Sequence, residues 1–149
     1  MVLDTGVVAL LDGTDLQARA GLTLELITLD ADGWPRVALL SVGEVLASTD
    51  GVLRLALWPG SRTTANLERG ARAVLALVHD GAAHRARLEA RRGADVFVEG
   101  EARAVFDADV VSVARDEVPY ARLRSGITHE LLDPAPTFAR WRATVAALR

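Results

Sequence analysis

The chain contains no cysteine among its 149 residues, which excludes disulfides and thiolate chemistry and fits a reducing compartment. Lysine is absent too. All 17 basic residues are arginine, so Schiff-base and lysine-base mechanisms are excluded. Asn66 is the only asparagine and Gln17 the only glutamine, an imbalance that reads as genome base-composition bias. It singles out Asn66 as a pointer to a specific job. No apolar run approaches the roughly 20 residues of a membrane helix. The N-terminus has no basic region followed by an apolar stretch, as a secretory signal would. These absences lead to the expectation of a cytoplasmic protein with no membrane partner. A net charge of −3 supplies no bulk field for nucleic acid. The chain also lacks Gly-x-Ser-x-Gly, Gly-x-Gly-x-x-Gly and a Walker loop.

What is present is a core-forming chain, 50% hydrophobic, with no repeats, low-complexity tract or linker, so residues 1–149 are expected to form one domain. Val7 to Ala20 is predicted helical. Leu22, Leu24 and Leu26 alternate with polar residues as a strand, and Asp30-Ala31-Asp32-Gly33 is a turn leading to a second strand, Pro35 to Val42. Gly43 bends or ends that strand, and Val45 to Ala47 continues as a separate piece. Further strands are expected at Val52–Trp58, Ala73–Val78, His84–Arg92 and Val96–Phe106, with Gly100 marking a bulge or a close backbone approach. Ala73–Val78 reads as buried on both faces, whereas His84–Arg92 alternates arginines with apolar residues and has one solvated face. Asp107 is expected to cap a helix through about Val118, stopped by Pro119. A last helix begins near Pro134–Thr137, with Phe138, Trp141, Val145 and Leu148 at helical spacing. The fold class is mainly β: about six strands, joined antiparallel and closing into a barrel, flanked by helices.

The stretch richest in chemistry is Leu55 to Leu67. A strand with Leu53, Leu55 and Leu57 on one face ends at Pro59-Gly60, and Ser61 caps a helix that runs to about Gly70. A helix N-terminus presents unpaired N–H groups and a partial positive charge to an anion. Arg62 adds a permanent charge with forked donors, and Thr63 and Thr64 add hydroxyls. A capped surface helix accounts for the same residues, and local chemistry by itself favours it. His79, His84 and His129 match no zinc spacing and read as solvated loop residues, so no metal site is expected. Glu99 and Glu101 beside Arg103 read as an ion-paired surface, and Phe138 and Trp141 as core anchors.

In order and spacing, Asp32-Gly33-Trp34-Pro35-Arg36-Val37-Ala38-Leu39-Leu40-Ser41, then Leu55–Trp58, then Gly60-Ser61-Arg62-Thr63 with Asn66-Leu67, the chain resembles the pyridoxamine 5′-phosphate oxidase-like family over residues 20 to 106. The resemblance implies a six-stranded antiparallel split β-barrel, a homodimer, and FMN bound at the subunit interface. It implies that Ser61 and Arg62, with Thr63 or Thr64, hold the flavin phosphate, and that Arg36 assists. Val37, Ala38, Leu39, Leu40 and Ser41 would lie along the isoalloxazine ring, and Asn66 would fix the helix start or touch the phosphate. Thr63 replaces the family lysine, Ala56-Leu57 stand where the oxidase has Tyr-Thr, and the tail has no Arg-x-His. These departures point away from vitamin B6 as substrate and toward an FMN-dependent oxidoreductase acting on another small molecule. The other readings are a non-catalytic flavin or haem sensor or carrier, a deazaflavin-dependent reductase, and a cofactor-free interaction domain.

Overall fold

The computed structural model describes residues 2–149. Its elements run α1 (Thr5–Leu10), β1 (Leu24–Leu29), β2 (Pro35–Leu40), β3 (Val45–Ala47), β4 (Leu53–Leu57), α2 (Arg62–Gly70), β5 (Arg72–His79), β6 (Ala82–Arg92), β7 (Val96–Val98), β8 (Glu101–Asp116) and α3 (Pro134–Leu148). All strand pairs are antiparallel, in the order β2-β1-β5-β6-β8-β4-β3, with β7 attached to β8. The expected number of six strands is corrected here. Among the described residues there are eight, and the sheet curls without pairing β2 to β3, so both remain edges.

Three local facts account for the extra strands. Val45–Ala47 pairs with Leu53–Leu55 as a strand of its own. Glu99 and Gly100 take φ of 53° and 81°, the two-residue loop that joins antiparallel strands, so the expected long strand from Val96 is a hairpin, not a bulge at Gly100. The expected helix from Asp107 to Val118 is the far half of β8. Its valines, Val105, Val110, Val111 and Val113, are stiff at χ1 and suit a pleated surface better than a helix. Asp107 and Asp109 face outward to Arg54 and Arg91 rather than capping anything. Val111 is the additional residue of a bulge, because the register moves from Arg87↔Ser112 to Leu88↔Val110.

The helices follow their caps. Asp4 Oδ1 accepts the Gly6 N–H at 2.8 Å and starts α1. That helix stops at Leu10 rather than near Ala20, since Gly13 and Asp15 take φ of 80° and 49°. In α3, Phe138 and Trp141 meet edge to face with centroids 5.7 Å apart, and Trp141 packs into the core as expected. Leu24, Leu26, Leu53, Leu55, Leu75, Leu88 and Phe106 fill the concave face and are fully buried. Each contributes about 1.5–3 kcal/mol of hydrophobic stabilisation. The opposite face of β5 is only half-buried, so this strand is not enclosed on both sides as its apolar run suggests. His84 is buried inside β6, with Nε2 3.1 Å from the His79 carbonyl, and is not the solvated loop residue expected.

Candidate functional site

The β1–β2 turn and the start of α2 come together around one carboxylate, Asp30. In the turn the Gly33 N–H donates to the Asp30 carbonyl at 2.9 Å, and the Asp30 N–H donates to the Trp34 carbonyl at 2.8 Å. Gly33 sits at φ 88°, a left-handed position that the Asp-Gly sequence is suited to fill. This geometry holds the Asp30 side chain toward α2. Asp30 Oδ1 accepts from Arg36 Nε at 2.8 Å and from Asn66 Nδ2 at 2.8 Å. The hydrogen bond from Arg36, and then that from Asn66, holds the Asp30 carboxyl below its ordinary range.

Asn66 is buried and fully used. Nδ2 also donates to Thr28 Oγ1 at 3.0 Å, and Oδ1 accepts from Arg69 at 2.9 Å. The only asparagine of the chain thus ties α2 to β1.

The predicted phosphate residues occupy the first turn of α2. Ser61 is its N-cap as expected, with Oγ accepting the Thr64 N–H at 3.1 Å and its hydroxyl donating to Thr64 Oγ1 at 3.0 Å. Thr64 Oγ1 in turn donates to the Trp58 carbonyl at 2.7 Å. Thr63 and Thr64 are buried. Arg62 differs from all of these. It is exposed, and among the described residues it has no ion pair and no side-chain hydrogen bond. Because Ser61 satisfies Thr64 and the Ser61 carbonyl accepts from Ala65, the N–H groups of Arg62 and Thr63 are left without helical partners.

Arg62, Asn66 and Arg69 line one wall of a groove of about 330 Å³, and Asp30, Ala31 and Asp32 line the other. Two guanidiniums, Arg62 and Arg69, thus face two carboxylates across the groove, and Asp30 is already paired with Arg36.

The residues predicted to follow the flavin ring divide along β2. Val37 and Leu39 are exposed on an edge strand, and Ala38 is half-buried. Leu40 and Ser41 turn into the core, and Ser41 gives its N–H and its hydroxyl to Glu44 Oε1 at 3.1 and 2.8 Å. The structure therefore gathers Arg36, Arg62 and Asn66 around Asp30, keeps Ser61, Thr63 and Thr64 inside the cap, and places Ser41 at the other end of β2.

Arg103 does pair with Glu101, whose Oε2 lies 3.8 Å away, but it is buried rather than on the expected open surface, with its guanidinium carbon 3.9 Å from the centre of the Trp58 ring. Glu99 is in the β7–β8 turn. Glu44, Arg103 and Arg140 were not singled out as site residues by sequence. The one available signal was the register that sets Ala56 opposite Val105, which brings the next outward positions, Trp58 and Arg103, side by side.

No protein-family model matches the chain. Solved structures share its fold at low identity. A Lactobacillus delbrueckii protein provisionally assigned as a pyridoxamine 5′-phosphate oxidase superposes with a TM-score of 0.57 at 22% identity, over 76% of this chain and 93% of that one. An F420 reductase gives 0.56 at 14% identity, over 75% and 98%. HutZ, the haem storage protein of Vibrio cholerae, gives 0.53 at 16% identity, over 76% and 94%. The curled antiparallel sheet is thus a split barrel. Sequence identity carries further with one relative, YclD of Bacillus subtilis (strain 168), an uncharacterized protein that is 34% identical over 140 residues, covering 94% of this chain and 91% of YclD. The chain belongs to the same protein family as YclD.

Proposed function

We propose that the protein is an FMN-binding split-barrel domain that works as a homodimer and as a flavin-dependent oxidoreductase on a small molecule. The observation that carries this reading is Arg62: an exposed, unpaired guanidinium beside two free N–H groups at the start of a nine-residue helix. Charge, forked donors and helix dipole there converge on one phosphate. Arg36, held by Asp30, assists from β2. Ser61, Thr63 and Thr64 shape the cradle through the cap, and Asn66 fixes the helix against β1. Val37 and Leu39 offer an apolar strip, and the open edge of β2 offers backbone hydrogen-bonding groups, to a flat ring.

When bound, the flavin supplies hydride or electron transfer, so the side chains have only to bind it, orient it and keep water from it. The dimer rests on a second observation. Val37, Ile27 and Val74 form a continuous cross-strand row on the outer face, extended by exposed Leu29 and Leu39. A patch of this kind fits a second copy related by a two-fold axis.

The test is the visible absorption spectrum of the purified protein before and after adding FMN, followed by gel filtration with light scattering. Flavin bands that co-elute with a dimer support the reading. A protein that stays colourless with FMN overturns it. Haem and a deazaflavin, suggested by the haem-storage and F420 reductase structures of the same fold, are then the coenzymes to titrate.

A further inference from the structure

A further cavity lies under the middle of α3, away from the Asp30 groove. It has a volume of about 110 Å³ and is lined by Glu44, Trp58, Arg103, Arg140, Trp141 and Thr144, with Gly43 and Ala56 at its floor. Its shape depends on Gly43: a Cβ there would lie 2.1 Å from Trp141 Cγ, so only glycine lets the indole close this wall.

The charges in it are unusual. Glu44 is largely buried, and one of its oxygens is taken by the N–H and hydroxyl of Ser41. Arg103 is buried with its guanidinium over the Trp58 ring, a cation–π contact, and Glu101 Oε2 lies 3.8 Å from it. Arg140 enters from α3. Both arginines pull on the Glu44 carboxyl through space, yet among the described residues neither forms an ion pair with it. Burial still dominates and pushes that carboxyl above the usual carboxylate range. Two cations and one largely desolvated acid therefore share a cavity without neutralising one another by contact.

We infer that this cavity is a binding site for a small monocarboxylate, whose carboxylate lies between Arg103 and Arg140 and whose short apolar end rests against Ala56 and Trp141. The volume suits a ligand of about four non-hydrogen atoms, given that a liquid water occupies roughly 30 Å³. A planar carboxylate matches the guanidinium fork. The second Glu44 oxygen is left to accept from a hydroxyl on the same ligand, and Thr144 Oγ1, which donates to the Arg140 carbonyl at 2.8 Å, can still accept. Trp58 joins this cavity to the phosphate cradle through Pro59 and Gly60, which makes a small organic acid the substrate class to try with a bound flavin. That last step rests on the flavin reading; the site itself does not.

The full-length protein without added flavin is titrated with acetate, lactate and inorganic phosphate at constant ionic strength, following tryptophan emission. Trp58 and Trp141 both line the site and report occupancy directly. A saturable change with acetate or lactate is expected, weakened about tenfold or more in Arg140→Gln, as loss of one charge-assisted pair requires. Arg103→Lys keeps the charge but loses the fork, and is expected to weaken lactate in the same way while its melting temperature reports folding. Absence of any saturable change overturns the site. So does lactate binding that is unchanged in a folded Arg140→Gln, or, in Arg62→Ala, which lacks the α2 cradle, phosphate binding tighter than either carboxylate. Because no flavin is present, these outcomes are independent of whether FMN binds.

Discussion

Asn66 and Asp30 meet at 2.8 Å, and that hydrogen bond joins the start of α2 to the β1–β2 turn. The same amide reaches Thr28 Oγ1, so the contact is part of the packing as well as the site. Asn66→Ala leaves the buried Thr28 hydroxyl without its partner, and a buried group left unpaired costs about 1–3 kcal/mol. Urea unfolding is expected to show a lower midpoint with an unchanged slope, since the exposed area on unfolding stays the same.

Asp30 has a consequence for pH. Its carboxyl is held below the ordinary range, first by the hydrogen bond from Arg36. A carboxyl lowered on folding stabilises the native state above its unfolded value, and that contribution is lost as pH falls through its folded value. Asp30→Asn is therefore expected to lessen the loss of stability below the usual carboxylate range. It also releases Arg36 and removes a negative charge from the groove, so FMN is expected to bind more tightly to this variant at pH 7. Acid melting curves and an FMN titration check the two parts separately.

Glu44 behaves in the opposite sense. Burial raises its carboxyl on folding, so the protonated form is favoured and the native state loses stability as pH rises from the unfolded value toward the folded one. Glu44→Gln keeps an acceptor for Ser41 and removes the charge. Its melting temperature is expected to exceed that of the parent at pH 8 and to converge with it at pH 4, as differential scanning calorimetry at several pH values would show.

Gly43 and Gly70 form a matched pair of tests. Gly43→Ala drives a methyl group into the Trp141 ring, and overpacking of this sort costs about 1–3 kcal/mol. Gly70 has open space around it and closes α2, so Gly70→Ala is expected to stabilise by about 0.4–1 kcal/mol. Paired denaturant curves measure both.

Much of this architecture is written locally. Alternation in Leu53–Leu57 and His84–Arg92, the cap at Ser61 and the apolar spacing of α3 all appear in the structure where the sequence places them. Asp107 was misread because an acid before a valine-rich segment serves equally as a cap or as an outward strand residue, and its partner Arg54 lies 53 positions away. The same distance problem hid the burial of Arg103, which depends on Trp58 from another strand. Within the candidate site, Arg62 and Asn66 could be singled out from sequence. The role of Asp30 as their shared neighbour could not, since it needs a turn, a strand and a helix to converge.

The central claim, that the chain holds a flavin by its phosphate at the start of α2, is tested most directly by comparing FMN with riboflavin. The two share a ring and differ in the phosphate. Fluorescence-quenching titrations of the parent are expected to give much tighter binding for FMN. Arg62→Ala is expected to cost FMN roughly 2–5 kcal/mol, leave riboflavin unchanged and keep the melting temperature. Equal affinity of the parent for FMN and riboflavin, or FMN binding indifferent to Arg62→Ala, would contradict it.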